Sequence, residues 1–240
     1  MKKQFQDSWH GIDFNKFIEV SADKVAGQEF YDCFYEEFFK KYKSFLEIPD
    51  SYIEKKLLVV VRYLEQKCQS KNSVLSIGCG IGLIEKLLID GQKVQTKIIG
   101  VEPSRIAIKW ISKNPKAEVY NGFFPDVFTD VNLSFDFAYA RAIEYIFDQE
   151  EYVDFLRSVV DYGIKEFSII SVSIHRQAVT DVLKEAVKIC LNKINMYNRG
   201  QLWGYMRTEK DHRNAFLKAG FQRIHVQKLD RSTIVITGKV

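Results

Sequence analysis

From Val74 onward, short apolar runs alternate with stretches that have helical periodicity. The apolar runs that predict strands are VLSI (74–77), KIIGV (97–101), AEVY (117–120), FDFAYA (135–140) and FSIISVSI (167–174). Helices are expected from about Leu83, from about Ser104, around 150–162, from about Gln177 to Tyr197, and near 209–219. Strands that alternate with helices predict a parallel sheet with helices on both faces.

Two further strands are predicted close to the C-terminus, RIHVQKL (223–229) and STIVITG (232–238). Only Asp230 and Arg231 join them, whereas parallel neighbours need a long crossover connection, so the two strands either pair antiparallel or lie apart. The expected fold is therefore an α/β, doubly wound, mostly parallel seven-stranded sheet with a reversed C-terminal hairpin.

The first seventy residues have a different pattern. Phe30, Phe34 and Phe38 recur at every fourth position among further aromatic residues, which predicts a helix with a wide aromatic face. A second helical pattern follows Pro49. We expect residues 1–72 to form a helical cap or lid on an α/β domain that covers residues 73–240.

Composition places the chain among soluble globular proteins, with 46% apolar and 28% charged residues in 240. The N-terminal lysines are not followed by an apolar run, and the longest aliphatic run, 57–61, is too short to cross a bilayer. The cysteines lack zinc-ligand spacing and are interpreted as structural thiols. A cytoplasmic protein without a membrane span or a metal site is the expectation.

Charge is unevenly distributed along the chain. Residues 175–240 hold 13 Lys and Arg against 5 Asp and Glu, whereas residues 1–174 hold 22 against 26. This asymmetry leaves open an anionic partner, from an acidic metabolite to nucleic acid, and equally a solvated basic face. No run of Lys or Arg is longer than two residues, which argues against nucleic acid.

The stretch VLSIGCGIGLIEKLL (74–88) places Gly78, Gly80 and Gly82 between a predicted strand and a predicted helix. Such a loop lets a ligand approach the backbone, and the helix N-terminus favours an anionic group. A dinucleotide site needs G-x-G-x-x-G, whereas here the third glycine comes one position early. Glu102 ends the next strand, where its carboxylate suits two ribose hydroxyls.

These residues resemble the class I S-adenosylmethionine-dependent methyltransferases. VLSIGCGIG looks like their first motif, V-L-D-x-G-C-G-x-G, and IIGVEPS looks like their acidic second-strand motif. FDFAYARAIEYIFD is similar to their fourth-strand segment, and LKAGFQRIHV resembles the turn before their final hairpin. The likeness covers about residues 73–240. It implies a Rossmann-like fold, S-adenosyl-L-methionine as cofactor and S-adenosyl-L-homocysteine as product.

The resemblance also implies a cofactor site. The three glycines would bracket the methionine part, Glu102 would hold the ribose, and Pro103 with Ser104 would line the adenine. Ser76 stands where the family usually has an aspartate, and Phe123 follows Gly122 where the family often has an acidic residue. The residues predicted to bind the cofactor are Ser76, Gly78, Cys79, Gly80, Gly82, Glu102, Pro103, Gly122, Phe123 and Arg141.

Methyl transfer requires alignment of nucleophile, methyl carbon and sulfur, and a protonated nucleophile needs a base. Ligands of parallel sheets lie beyond the carboxyl ends of the strands, so candidates follow the fourth and fifth strands. Glu144, Tyr145 and His175 are the predicted catalytic residues, with His175 as the leading base because histidine titrates near neutral pH. His10, His212 and His225 are interpreted as structural.

Acceptor-binding candidates come from two regions. In GQLWGYMRT (200–208), Trp203, Tyr205 and Arg207 alternate, which fits a pocket that stacks on a ring and clamps an acidic group. A buried edge strand with a surface arginine fits the pattern equally well. Tyr31 is a further candidate, and Tyr31 and Tyr35 are both candidate lid residues over the cofactor.

The predicted function is metal-independent methyl transfer to an oxygen or nitrogen of a small molecule, sugar or glycan precursor, with an acidic acceptor as one option. The fourth strand is not followed by an N-P-P-Y-like segment, which argues against methylation of DNA bases or glutamine. No acidic clusters follow the fourth and fifth strands, which argues against a magnesium-assisted site. A non-catalytic methyltransferase-like domain, an RNA methyltransferase and a nicotinamide-dependent oxidoreductase remain alternatives.

Overall fold

The computed structural model of the chain describes residues 1–91, 96–172 and 200–240. In chain order its strands are β1 (Lys2–Gln6), β2 (Ser8–Trp9), β3 (Ile12–Asp13), β4 (Ser73–Ile77), β5 (Lys97–Glu102), β6 (Glu118–Asn121), β7 (Phe137–Arg141), β8 (Glu166–Val172), β9 (Gln201–Met206), β10 (Arg223–Lys228) and β11 (Thr233–Lys239). Its helices are α1 (Gln28–Lys41), α2 (Asp50–Tyr52), α3 (Leu58–Cys68), α4 (Leu83–Gly91), α5 (Gln149–Asp161) and α6 (Glu209–Lys218). A π-helical turn, Ile53–Leu57, joins α2 to α3.

Seven strands form the central sheet in the order β10-β11-β8-β7-β4-β5-β6. Strand β4 pairs parallel with β5 and β7, and the outer pairs β5–β6 and β7–β8 are parallel too. Strand β11 is reversed, because it pairs antiparallel with both β8 and β10. The predicted mostly parallel sheet with a reversed C-terminal hairpin is confirmed.

The sheet is covered on both faces. Successive side chains of a strand point to opposite faces, and the neighbours Val74 and Leu75 in β4 accordingly belong to different hydrophobic clusters. Val74 packs with α1, α3 and α4, whereas Leu75 packs with Leu156 of α5 and Phe216 of α6. Strands buried on both faces read as continuous apolar runs, which is why β4, β5 and β7 were predictable.

The N-terminal region contains the predicted helices and also three strands that were not predicted. Strand β1 pairs antiparallel with β9, about 200 residues away in sequence. Strands β2 and β3 form a hairpin whose two-residue turn, His10 and Gly11, has φ angles of 51° and 68°. Two positive φ angles are the signature of the turn that best matches hairpin twist.

The predicted boundary between residues 72 and 73 stays a prediction. One hydrophobic cluster crosses it, since Phe34 and Val60 share the cluster with Val74 and Phe137. The N-terminal side chains are therefore packed directly on the sheet that carries the glycine loop.

Three other predictions need comment. The helix expected from Ser104 is instead two 3-10 turns, Ala107–Lys109 and Ile111–Lys113; the second ends at Asn114, where Pro115 disfavours helical geometry. Residues 201–206 form a buried strand, β9, as the edge-strand interpretation expected, but Arg207 is buried and not at the surface. The helix expected over 177–197 lies outside the described residues.

Of the helices that the structure describes, none has the length and apolar character needed to cross a membrane.

Candidate active site

A cavity of about 610 Å³ opens at the carboxyl ends of β4, β5 and β7. Its volume is in the range of sites for small molecules. Strand ends and loops supply one wall, and the N-terminal region supplies the other. The predicted cofactor residues that line this cavity are Gly78, Cys79, Gly80, Glu102, Pro103, Gly122, Phe123 and Arg141.

The three loop glycines all have left-handed backbone conformations, with φ angles of 71°, 56° and 74°. A Cβ atom at Gly78 would lie 2.5 Å from the Ile143 side chain, and one at Gly80 would lie 3.0 Å from the Tyr35 hydroxyl. A Cβ atom at Gly82 would lie 2.4 Å from Cβ of Ile111. Gly78 and Gly80 therefore allow the side chains of Ile143 and Tyr35 to approach the loop closely, while Gly82 allows Ile111 to pack against the start of α4.

Glu102 joins the glycine loop to the end of β5. One carboxylate oxygen accepts the N–H of Gly80 at 2.9 Å, and the other accepts the N–H of Ser104 at 3.1 Å. Burial raises the pKa of Glu102 to about 7 in spite of these hydrogen bonds. Each oxygen keeps accepting capacity for one further donor, as a pair of ribose hydroxyls requires.

A second buried carboxyl group lies behind the loop. Ser76 does not line the cavity; its hydroxyl donates to Oε1 of Glu85 at 2.6 Å, and the Tyr139 hydroxyl donates to the same oxygen at 2.7 Å. Burial raises the pKa of Glu85. Glu85, in the first turn of α4, thus places a carboxyl group beside Ser76, where the family usually has an aspartate. Glu85 was not predicted, although its spacing from Leu88 places it on the buried helix face.

Arg141 ends β7 and lines the cavity. Among the described residues its guanidinium has no hydrogen-bond or salt-bridge partner. Its charge helps burial to lower the pKa of His10, and it opposes the rise in the pKa of Glu85 that burial causes. An unpaired cation on the wall is available to an anionic ligand group.

The predicted catalytic residues lie in different places. Tyr145 lines the cavity, and burial raises the pKa of its phenol, so the group stays protonated. Glu144 is buried outside the cavity wall and accepts a hydrogen bond from the Ser171 hydroxyl at 2.5 Å. His175 lies outside the described residues.

The structure corrects the acceptor role predicted for Arg207, whose side chain is buried. The guanidinium donates to the carbonyl oxygens of Glu144, Phe147 and Asp148 at 2.6 to 2.7 Å, and it lies 4.4 Å from the ring centre of Tyr152. It holds the segment 144–148 and has no access to an acceptor.

Of the three other acceptor candidates, Tyr31 lines the cavity, whereas Trp203 and Tyr205 do not. Trp203 packs behind the wall, with its ring centre 5.8 Å from Tyr31, 5.9 Å from Tyr145 and 5.5 Å from Trp9. Tyr205 is half-buried in β9 and does not line the cavity, whereas Tyr31 does. The Tyr31 hydroxyl is buried without a hydrogen-bond partner among the described residues.

Aromatic side chains from separate elements enclose the N-terminal part of the cavity. We call this part the aromatic chamber; its walls are Trp9, His10, Tyr31, Tyr35, Tyr52 and Tyr145. Of these residues, Trp9, His10 and Tyr52 were not predicted as site residues, because no sequence pattern shows that the hairpin, α1 and α2 meet there. Within the described ranges, no three His, Cys, Asp or Glu side chains gather as a metal site would require.

Comparison with known proteins agrees with this geometry. A family model described as a methyltransferase domain matches residues 50–225. No curated protein sequence matches the chain. Among solved structures, PigF with S-adenosylhomocysteine is similar at 14% identity and a TM-score of 0.60, over 89% of this chain and 60% of that chain.

Two further structures show the same fold. Human N-acetylserotonin methyltransferase in complex with S-adenosylmethionine has 13% identity and a TM-score of 0.57, over 89% of this chain and 56% of that chain. The DhpI complex with S-adenosylhomocysteine has 11% identity and a TM-score of 0.60, over 91% of this chain and 98% of that chain. The chain spans about three fifths of the length of the first two.

The matched family model covers well over half of the sequence, and the parallel strands β4 to β8, the glycine loop and Glu102 lie within it. The chain therefore belongs to the class I S-adenosylmethionine-dependent methyltransferase family, whose cofactor is S-adenosyl-L-methionine and whose cofactor product is S-adenosyl-L-homocysteine.

Proposed function

We propose that the protein is a metal-independent methyltransferase that acts on an oxygen or nitrogen atom of a small-molecule acceptor. The observation that carries this proposal is that one cavity contains both the glycine loop with Glu102 and the aromatic chamber. A cofactor and a small acceptor can therefore meet in a space that protein side chains shield from water.

The residues present fit S-adenosylmethionine. Gly78 and Gly80 line the cavity, and a glycine backbone lets a ligand approach closely. Glu102 would accept the ribose hydroxyls, and the unpaired Arg141 would meet the carboxylate of the methionine part. The adenine would lie near Pro103 and Phe123. The Phe123 side chain is 58% exposed, so its ring is accessible to a bound ligand.

When bound, the cofactor supplies an electrophilic methyl group on a positively charged sulfur. The chain's own contribution is alignment and exclusion of water, which account for much of the rate of an in-line transfer. The phenols of Tyr31, Tyr35 and Tyr145 keep their protons because burial raises their pKa values. They can therefore donate hydrogen bonds to an acceptor and hold its nucleophilic atom in place.

Binding measurements test the cofactor assignment. Calorimetry should show that S-adenosylhomocysteine binds and NAD does not. Glu102→Gln should weaken S-adenosylhomocysteine binding at least tenfold, because a hydrogen bond to a charged group contributes about 1.5–3 kcal/mol. The matched control is Glu118→Gln in β6, outside the cavity, which should leave affinity unchanged.

Two outcomes would change the proposal. Binding of NAD alone, or unchanged affinity in Glu102→Gln, would contradict it. Tight binding without turnover of any acceptor class would favour the non-catalytic alternative, and turnover of RNA alone would favour the RNA methyltransferase.

A further inference from the structure

Helix α1 has a polar face beside its buried phenylalanines. Gln28 and Asp32 are four residues apart and therefore lie on the same side of the helix. Nε2 of Gln28 donates to the carbonyl oxygen of Pro103 at 3.2 Å. The Ser104 hydroxyl donates to Oδ1 of Asp32 at 2.5 Å. This face of α1 therefore contacts the turn that directly follows Glu102.

Ser104 connects Asp32 to the carboxylate of Glu102. The N–H of Ser104 donates to Oε1 of Glu102 at 3.1 Å, while its hydroxyl donates to Asp32 and accepts the N–H of Ala107 at 3.1 Å. Ser104 is 1% exposed, so its hydroxyl depends on these protein partners. Loss of the Asp32 acceptor should therefore displace Ser104, and with it the N–H that orients Glu102.

Strand β6 holds the same turn from the other side. Nδ2 of Asn121 donates to the carbonyl oxygens of Glu102 at 2.9 Å and of Pro103 at 2.8 Å. Nε of Arg105 in turn donates to Oδ1 of Asn121 at 2.9 Å. The turn is thus held between β6 and α1, and α1 belongs to the N-terminal region. The position of Glu102 depends on the docking of that region.

The charge of Asp32 also acts on Glu102. Asp32 in α1 and Glu85 in α4 both add to the rise in the pKa of Glu102 that burial causes. The other titratable groups that interact with Glu102 have pKa values raised by burial and are neutral near pH 7: Tyr31, Tyr35 and Cys79. An asparagine at position 32 would keep an acceptor for Ser104 without the repulsion. The geometric and the electrostatic effects of Asp32 can therefore be separated.

We propose that Asp32 is a positioning residue of the cofactor site, which through Ser104 fixes the carboxylate of Glu102 and makes cofactor binding depend on the docking of α1. This inference rests on the proposed function, because it takes Glu102 as the group that binds the ribose. Helix α1 ends before residue 50, where the match to the methyltransferase domain begins. A part of the chain outside the matched domain thus completes the cofactor site.

The first experiment measures S-adenosylhomocysteine affinity by calorimetry at pH 8. We expect Asp32→Ala to weaken binding by about five- to fiftyfold, because the buried Ser104 hydroxyl loses a charged acceptor. Asp32→Asn should stay within about threefold of the wild type, because its amide oxygen accepts the same hydrogen bond. Glu36→Gln removes an exposed carboxylate one turn further along α1 and is the control, whose affinity should not change.

The second experiment repeats the titrations at pH 6, where a role confined to the packing of α1 would have no effect on the pH profile. Removal of the like charge in Asp32→Asn lowers the pKa of Glu102, so more of the carboxylate is ionised at this pH. We expect Asp32→Asn to bind S-adenosylhomocysteine about two- to fivefold more tightly than the wild type at pH 6. Glu36→Gln should follow the wild-type profile.

A double-mutant cycle with Ser104→Ala tests the connection itself. Ser104→Ala removes the hydroxyl and keeps the N–H, so adding Asp32→Ala to it should weaken binding by less than about twofold at pH 8. Additive losses would overturn the inference, as would unchanged affinity in Asp32→Ala or an unchanged pH profile in Asp32→Asn.

Failure of this inference can be distinguished from failure of the proposed function. S-adenosylhomocysteine binding that needs Glu102 but not Asp32 would refute the positioning role alone. If the wild type does not bind S-adenosylhomocysteine, or if Glu102→Gln binds it unchanged, the proposed cofactor site fails and the role of Asp32 fails with it. Urea unfolding of the ligand-free variants shows which of them are folded, and Asp32→Asn keeps the test decisive if Asp32→Ala is not.

Discussion

At the scale of single residues, two opposing effects act on Glu102. Burial favours the protonated carboxyl, whereas the N–H groups of Gly80 and Ser104 favour the carboxylate. Because its pKa is raised from 4.5 to about 7, Glu102 stabilises the ligand-free fold fully below about pH 4.5, and this contribution is lost as pH rises through about 7. Ribose hydroxyls, in contrast, bind the ionised form.

Affinity for S-adenosylhomocysteine should therefore rise with pH around neutrality. With a pKa of about 7, about one tenth of Glu102 is ionised at pH 6 and most of it at pH 8, so we expect about tenfold tighter binding at pH 8. Calorimetry at the two pH values measures this, with Glu102→Gln as a variant whose affinity should not change. A flat profile in the wild type would mean that the carboxylate does not bind the ligand.

Gly82 is expected to be the loop glycine whose role is structural. Gly82→Ala combines a left-handed conformation, which costs about 1–2 kcal/mol, with a clash against Ile111, which costs about 1–3 kcal/mol. Urea unfolding should show a loss of about 2–5 kcal/mol. Gly163→Ala shares the positive φ without a clash and should lose about 1–2 kcal/mol, and Gly27→Ala has neither and should lose less than about 1 kcal/mol. An equal loss at positions 82 and 163 would contradict this explanation.

At the scale of elements, Arg207 shows how β9 fixes the segment after β7. Its guanidinium holds three carbonyl oxygens of residues 144–148 and thereby orders the stretch that carries Tyr145 into the cavity. Sequence alternation predicted that Trp203 and Arg207 share a face, but β9 ends at Met206 and its register shifts beside Trp203. It could not show that this face is buried against carbonyl groups, since those groups come from a distant part of the chain.

Arg207→Leu should lower the free energy of unfolding by at least about 3 kcal/mol, because three buried carbonyl groups lose their donor. Arg157→Leu is the matched control: Arg157 is half exposed in α5 and pairs with Asp154 one turn away, so its loss should be below about 1 kcal/mol. Urea unfolding of the two variants measures the difference. A stable Arg207→Leu protein with a weakened acceptor affinity would instead support the acceptor clamp first predicted from sequence.

For the molecule as a whole, the continuous core across residue 72 predicts a single unfolding transition. The three tryptophans contact the N-terminal region, since Trp9 packs on Phe34, Trp110 on Phe39 and Trp203 on Phe14. Their fluorescence therefore reports on that region, whereas far-UV circular dichroism reports on all helices and strands.

We expect the two signals to have the same urea midpoint, as in two-state unfolding. Val60→Ala, which removes a buried side chain of α3, should move both midpoints together. A fluorescence transition at lower urea would show that residues 1–72 unfold separately and would support a domain boundary between residues 72 and 73.

The parts of the fold that were predictable from sequence depend on local patterns. The strands of the sheet are apolar runs, and the glycine loop and Glu102 follow directly from two of them. The parts that were missed depend on contacts between distant segments. The sequence of β1 has no distinctive strand pattern, and the strand forms by antiparallel pairing with β9. His10 was interpreted as structural because a lone histidine in a short hairpin gives no local sign of the cavity it faces.

The pairing of β1 with β9 has a consequence for the order in which the two halves of the cavity can form. During synthesis, the glycine loop, Glu102 and Arg141 leave the ribosome well before Trp203, which supports the ring walls from behind. Closing a loop of about 200 residues comes late, since distant contacts form only after the ordering cost between them is met. We therefore expect the contacts around the glycine loop to form before those between β1 and β9.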